Sequence, residues 1–226
     1  MPQPTSAVIE FVNAPGSALV DRLAAAAQRH FLRHGLMPQV RHSQVEAMPA
    51  HLCVAGENIE LDQLARCSPA EASELLRLRI ARGAGLSTVL FVCTGNSIRS
   101  QIAEGVITHR FATHWAAFSA GTLPVGIHPD VMAVMAEVGI DLSDRFPKDV
   151  ELFRDCAFDR IVVLCSEVDG RCPVLPYGGH IERMYFDDLV TADSLAGAIH
   201  FSQRARARKL RITIERALRN YLAGPA

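Results

Sequence analysis

The chain has 226 residues, 49% hydrophobic and 21% charged, with a formal net charge of −1. It is long enough for one large domain or for a small one joined to a medium one, and its near-neutral balance gives no reason to expect nucleic acid or a membrane as a main partner. No apolar run approaches the roughly 18 residues that cross a bilayer, and MPQPTSAVIEF lacks the pattern of a secretory signal, so the expected location is cytoplasmic.

Residues 7 to 13, AVIEFVN, read as a strand, and SALVDRLAAAAQRHFLRHG (17 to 35) as a helix ended by Gly35 and Pro38. PQVRHSQV and PAHLCVAG read as two more strands and ENIELD as a short last one. Ser68 and Pro69 open the helix SPAEASELLRLRIARG. The Gly-rich RGAGLS (82 to 87) reads as a linker, dividing the chain into a small α/β domain, 1–82, and a larger domain, 88–226. This first order of elements, with Met48-Pro49 just before the AHLCV strand, resembles a thioredoxin-like module. NAPGSA (13 to 18) stands where that fold has its redox CxxC, so the resemblance implies no redox role for the module. A winged-helix domain is the alternative, and the low helix count argues against it.

Beyond the linker, strand TVLFVC (88 to 93) precedes helix 97–112, and strand WAAFSAG (115 to 121) precedes helix 128–139. Strand RIVVLC (160 to 165), strand HIERMYF (180 to 186) and a basic helix from about Ser202 to Tyr221 follow. Alternating strands and helices imply an α/β fold, a parallel sheet flanked by helices. Sites in such sheets form beyond the carboxyl ends of the strands. Cys93 and Cys165 both stand there and can share one crevice.

Cys93 and Arg99 bracket the loop Thr94, Gly95, Asn96, Ser97 and Ile98, and Ser100 follows in the helix. Gly95 permits backbone geometry closed to other residues, and Asn96 tolerates left-handed conformations. Such a loop can turn several N–H groups inward as a nest for a tetrahedral oxyanion. The helix start adds its positive end, and Arg99 supplies a planar fork for two oxygens. The same field favours the thiolate of Cys93, poised for in-line attack on the anion's central atom.

Six cysteines, Cys53, Cys67, Cys93, Cys156, Cys165 and Cys172, are too sparse for a secreted disulfide scaffold. With no CxxC pair and no HExxH, no metal site is expected. Cys165 and Cys172 flank six mostly polar residues containing Gly170, a segment pliable enough to bring them to disulfide distance. Cys53, Cys67 and Cys156 read as core or bystander thiols, His128 as a surface residue, and RARARKLR (204 to 211) as a solvated helix face.

VLFVCTGNSIRSQIAEG (89 to 105), with FSAGT (118 to 122) and MAEVGIDLSD (135 to 144), resembles the low-molecular-weight protein tyrosine phosphatase fold over residues 88 to 223. Gln101, in place of the proline usual in the phosphatases, and the order strand, cysteine, acidic polar loop, Cys-Pro in LCSEVDGRCPVLP are similar to the thioredoxin-coupled arsenate reductases. Ile98 stands where that loop often carries a second cysteine. The resemblance implies arsenate as substrate, Cys93, Cys165 and Cys172 as a disulfide relay, Arg99 in the oxyanion loop, no bound cofactor, and thioredoxin as external reductant. It also implies a carboxylic acid in YFDDL: Asp188 by the family pattern, although Leu189 replaces the family's proline and leaves Asp187 as an alternative. Two other readings stay open, a tyrosine phosphatase using Cys93, Arg99 and Asp188, and a non-catalytic oxyanion-binding regulator.

Overall fold

A computed structural model describes residues 8–12, 21, 25, 39–44, 51–54, 57–60, 64, 66–166, 175, 177–187 and 203–222. The NAPGSA stretch, Met48-Pro49, Cys172 and Asp188 lie outside the described residues. The chain divides into two compact units, Met1–Ser87 and Thr88–Ala226.

The first unit has a four-stranded sheet of β1 (Val8–Val12), β2 (Gln39–Ser43), β3 (His51–Val54) and β4 (Glu57–Glu60), ordered β2-β1-β3-β4. β1 runs parallel to β2, with Val8 opposite Gln39, and antiparallel to β3, with Phe11 opposite Leu52. β3 and β4 are antiparallel, with Leu52 opposite Ile59. A parallel pair needs a long crossover, usually helical, and Asp21 and Ala25 between β1 and β2 are helical. Helix α1 (Pro69–Gly83) packs on β3. Its start is a capping box: Ser68 Oγ accepts from Glu71 N at 3.3 Å and Glu71 Oε2 accepts from Ser68 N at 2.8 Å. The expected linker is shorter than its glycines suggest. Arg82 and Gly83 are helical and Ser87 already begins a strand, so Ala84, Gly85 and Leu86 make the connection. Gly85, at φ +73°, takes the left-handed turn there.

The second sheet, ordered β6-β5-β7-β8, comprises β5 (Ser87–Cys93), β6 (Trp115–Gly121), β7 (Ala157–Val163) and β8 (Tyr177–Arg183). β7 runs parallel to both β5, with Val89 opposite Arg160, and β8, with Val162 opposite Glu182. Val89, Leu90, Phe91 and Val92 are fully buried, as a parallel strand covered on both faces requires. Helix α2 (Arg99–Arg110) connects β5 to β6, α3 (Pro129–Ala136) follows β6, and α4 (Gln203–Leu222) packs on α2 and α3. Gly105 in mid-helix gives α3 room, since a Cβ there would lie 2.7 Å from Met135 Cε. Phe118, Phe153 and Phe158 meet edge to face at 5.5–5.9 Å in the core.

Two expectations are corrected. β8 spans residues 177–183 rather than 180–186. The basic run is not simply a solvated face: Ala207, Leu210 and Arg211 are buried, Arg204 Nε reaches Asp130 Oδ1 at 3.2 Å, and Arg208 holds both oxygens of Glu137 at 2.6 and 2.7 Å. These pairs tie α4 to α3.

Candidate active site around Cys93

Strand β5 delivers Cys93, 2% exposed, to the carboxyl edge of the sheet. The loop between it and α2 is held from outside, carbonyl by carbonyl. Cys93 O accepts from Thr122 N (3.3 Å), Thr94 O from Leu123 N (2.9 Å), Gly95 O from Val125 N (2.9 Å) and Ser97 O from His128 N (3.2 Å). Asn96 O accepts from Gln101 Nε2 at 3.1 Å, and Ser97 Oγ donates to Gly126 O at 2.6 Å. With these carbonyls committed outward, the N–H edge is left able to act as an anion nest.

The left-handed residue in this loop is Asn96, at φ +44°, and not Gly95. Gly95 serves differently, because a Cβ there would press on Val125 Cγ2 at 3.2 Å. Gly121 is the tighter constraint: a Cβ would fall 2.6 Å from Thr94 O and 2.7 Å from Asn96 N. The strand β6 therefore touches the loop backbone directly.

Arg99, the first residue of α2, is buried and donates from one guanidinium nitrogen to Phe186 O at 3.2 Å. Phe186 N in turn donates to Leu164 O at 3.1 Å, so the strand end that carries Cys165 also braces Arg99. A cavity of about 690 Å³ opens over the loop, lined by Cys93, Arg99, Leu123, Val125, His128 and Pro129 among others. His128 caps α3, its Nδ1 accepting from Asp130 N at 3.2 Å, as well as facing this cavity.

Cys165 lies two residues past β7, buried, with its sulfur 3.4 Å from Thr94 Oγ1. Burial pushes its thiol above the ordinary cysteine value; the Thr94 hydrogen bond and the Arg99 charge pull it back, and Cys93 adds to the rise. Cys165 thus lies against the loop that follows Cys93 and within its electrostatic reach. Asp187 is exposed. Burial and the neighbouring Glu71 carboxylate likewise raise Cys67, in the other unit, which disfavours its thiolate.

Beneath the loop runs a polar network that the sequence motifs did not assign. Cys93 Sγ lies 2.9 Å from Ser100 Oγ. Asn96 Nδ2 donates to Ser100 Oγ (2.8 Å) and to Ser119 Oγ (2.9 Å). Ser119 Oγ donates to Glu104 Oε2 at 2.5 Å, and Glu104 pairs with Arg145 (2.5 Å) and Lys148 (3.4 Å). Gln101 Nε2 also reaches Asn96 Oδ1 at 3.1 Å and Phe146 O at 3.4 Å. The available signal was Glu104, a carboxylate amid the apolar and small residues of α2, all buried from Arg99 to Ile107. Among the described residues no group of three or more His, Cys, Asp or Glu side chains could hold a metal ion, and no helix is long and apolar enough to cross a membrane.

The model of the low molecular weight phosphotyrosine protein phosphatase family matches residues 88–222. Arsenate reductase 1 of Staphylococcus epidermidis is 42% identical over 105 residues, covering 45% of this chain and 76% of that protein. The arsenate reductase of Shouchella clausii is 37% identical over 107 residues, covering 46% and 76%. Among solved structures, an arsenate reductase in its oxidized state superposes with a TM-score of 0.51 and 28% identity, over 61% of this chain and 98% of that one. The chain belongs to the low molecular weight phosphotyrosine protein phosphatase family, and within it resembles the arsenate reductases.

Proposed function

We propose that this protein reduces arsenate to arsenite through a relay of three thiols. The observation that carries the reading is the second sulfur: Cys165, buried, hydrogen-bonded to Thr94 of the nucleophile's own loop. A phosphatase has no use for a thiol there, whereas a reductase must dispose of two electrons.

The oxyanion sits on the nest of Thr94, Gly95, Asn96, Ser97, Ile98 and Ser100, with its charge met by Arg99 and the start of α2. Cys93 thiolate attacks arsenic in line, and an oxygen leaves as water after protonation by Asp188, or by its neighbour Asp187. Cys165 thiolate then attacks Cys93 Sγ. The S–S bond forms, the S–As bond breaks, and its electron pair stays on arsenic, which departs as arsenite. Cys172 attacks Cys165 and frees Cys93 as a thiol. The Cys165–Cys172 disulfide is returned to two thiols by an external dithiol protein, thioredoxin, with no cofactor bound to the chain. Such a cycle runs where a thiol reductant is maintained, which fits a cytoplasmic location. The N-terminal unit, a small α/β domain joined through Ala84, Gly85 and Leu86, supplies none of the three thiols of this relay. Its β2-β1-β3-β4 order, with one parallel and two antiparallel pairings, supports its reading as a thioredoxin-like module.

The test is arsenate-dependent oxidation of thioredoxin together with a thiol count. The expected result is sustained turnover, with two thiols lost per arsenate when thioredoxin is omitted. Sustained turnover is lost in Cys93→Ser, Cys165→Ser and Cys172→Ser, and of these only Cys172→Ser still loses two thiols, stopping at a Cys93–Cys165 disulfide. Hydrolysis of a phosphate monoester that survives in Cys165→Ser and Cys172→Ser, with no arsenate turnover in the unaltered protein, would make the chain a phosphatase. Anion binding with neither reaction would make it a regulator.

A further inference from the structure

We propose that Lys148, together with Arg145, is a positioning residue for the Cys93 nucleophile, acting through the buried carboxylate of Glu104 and a directed chain of hydrogen bonds. The inference rests on Cys93 being the nucleophile and not on which anion it attacks.

The direction of the chain follows from counting donors. Asn96 has one amide oxygen and two N–H groups. The oxygen accepts from the main-chain N–H of Lys148 at 2.7 Å and from Gln101 Nε2 at 3.1 Å. The amide nitrogen must therefore face the serines, and it donates to Ser100 Oγ at 2.8 Å and Ser119 Oγ at 2.9 Å. A serine hydroxyl carries a single hydrogen. Ser119 gives its hydrogen to Glu104 Oε2 at 2.5 Å. Ser100, already accepting from Asn96, has its own hydrogen left for Cys93 Sγ, 2.9 Å away. Both ends of the chain are acceptors, Glu104 at one and Cys93 at the other. The Cys93 sulfur is thereby held as an acceptor from Ser100, its position fixed by the chain.

The acceptor end at Glu104 holds only while that group is ionised. Glu104 is 1% exposed, and burial without countercharge drives a carboxyl group to its neutral form. A neutral carboxyl would bring a proton of its own to the place where Ser119 donates. Two cations from the turn after α3 prevent this. Arg145 lies 2.5 Å from Glu104 Oε1, and Lys148 Nζ, on a side chain 2% exposed, lies 3.4 Å from Oε2. The ammonium is also 5.2 Å from the centre of the Phe146 ring. Lys148 thus acts at two points: its main chain orients the Asn96 amide, and its ammonium keeps Glu104 charged. Substitution spares the first and removes the second, so variants separate them.

The experiment uses the full chain and follows alkylation of Cys93 by iodoacetamide, with Cys53 and Cys67 in the same digest as internal standards, beside kcat and KM for arsenate. In Lys148→Met, Cys93 alkylation and kcat are expected to fall about tenfold, the effect of losing one hydrogen bond to a charged group. KM is expected to move by less than about threefold, because Arg99 and the nest still bind the anion. Lys148→Arg is expected to restore most of both rates. Ser119→Ala, which cuts the chain without stranding a buried charge, is expected to slow Cys93 in the same way and serves if Lys148→Met does not fold. Alkylation of Cys93 at the unaltered rate in folded Lys148→Met or in Ser119→Ala would overturn the proposal. Slowed alkylation in a protein that never turns over arsenate would support it while removing the reductase reading.

Discussion

Thr94 Oγ1 lies 3.4 Å from Cys165 Sγ, so the residue that follows Cys93 in sequence also contacts the Cys165 thiol. Burial pushes Cys165 above the ordinary cysteine value, and the Thr94 hydroxyl and Arg99 oppose that rise. Only the thiolate attacks. The folded state keeps this proton to higher pH than the unfolded chain does. The stability so gained is present below the unfolded pKa and is lost as pH climbs through the folded one. The attacking power runs the opposite way. In single turnover, arsenite release should speed up as pH rises through and above the ordinary thiol pKa of about 8.5. Thr94→Val should shift that curve to higher pH and slow release at neutral pH by about tenfold, with Thr94→Ser restoring it. A release rate independent of pH in the unaltered protein would contradict this account of Cys165.

Anion binding should be visible as stability before any chemistry occurs. A ligand that binds only the folded protein adds about 2.7 kcal/mol at 100 times its Kd. For a domain of this size that corresponds to a rise in Tm of roughly 5–10 °C. Phosphate, which cannot be reduced, is the clean probe, read by thermal unfolding. Arg99→Met removes the guanidinium that faces the cavity with Cys93 and should abolish most of the rise. An equal shift in that variant would mean that the loop alone holds the anion.

The loop and the strand before it were legible because their signals are local. VLFVC is a continuous apolar run, as a doubly covered strand must be, and Ser68 followed by Pro69 announces the start of α1. What escaped has partners far along the chain. The basic run of α4 looked solvated because Asp130 and Glu137, its counterions, stand 74 and 71 residues upstream. Glu104 meets Ser119 at a separation of 15 residues and Lys148 at 44, which no helical periodicity can connect. β8 was placed too late because Gly178 and Gly179 interrupt its apolar pattern, whereas Gly179 lets the strand lie close to β7: a Cβ there would be 3.1 Å from Asp159 O. In the loop, either Gly95 or Asn96 could have taken the left-handed turn on propensity alone. The contact of Gly95 with Val125 shows why the glycine was needed elsewhere.

Gly121→Ala is expected to damage the site from behind. The added methyl would meet Thr94 O at 2.6 Å and Asn96 N at 2.7 Å, both backbone atoms of the loop that follows Cys93. Neither can rotate away as a side chain would, so the loop or β6 must shift. Overpacking of this kind costs about 1–3 kcal/mol. The displaced loop should also raise KM for arsenate and weaken the phosphate-induced rise in Tm. Urea unfolding gives the stability, and a variant with unaltered stability and KM would show that the loop yields freely at this point.

The last prediction concerns how the C-terminal helix is held to the sheet that carries the site. The Arg160 guanidinium, on β7, lies 5.1 Å from the centre of the Trp115 ring and 4.7 Å from that of Tyr221, near the end of α4. It also donates to Tyr221 O at 3.4 Å. One cation therefore joins β6, β7 and α4. Arg160→Met keeps the aliphatic stem and removes the charge, so packing is largely preserved. The expected loss is about 1–2 kcal/mol, the value of a partly desolvated cation between aromatic faces. Trp115 is the chain's single tryptophan, so its fluorescence reports the separation of α4 from this edge during urea unfolding. Loss of a cation from its ring face should also change its emission in the folded state. An unchanged urea midpoint with unchanged emission would mean that the ion pairs of Arg204 and Arg208 with α3, and not Arg160, hold the helix down.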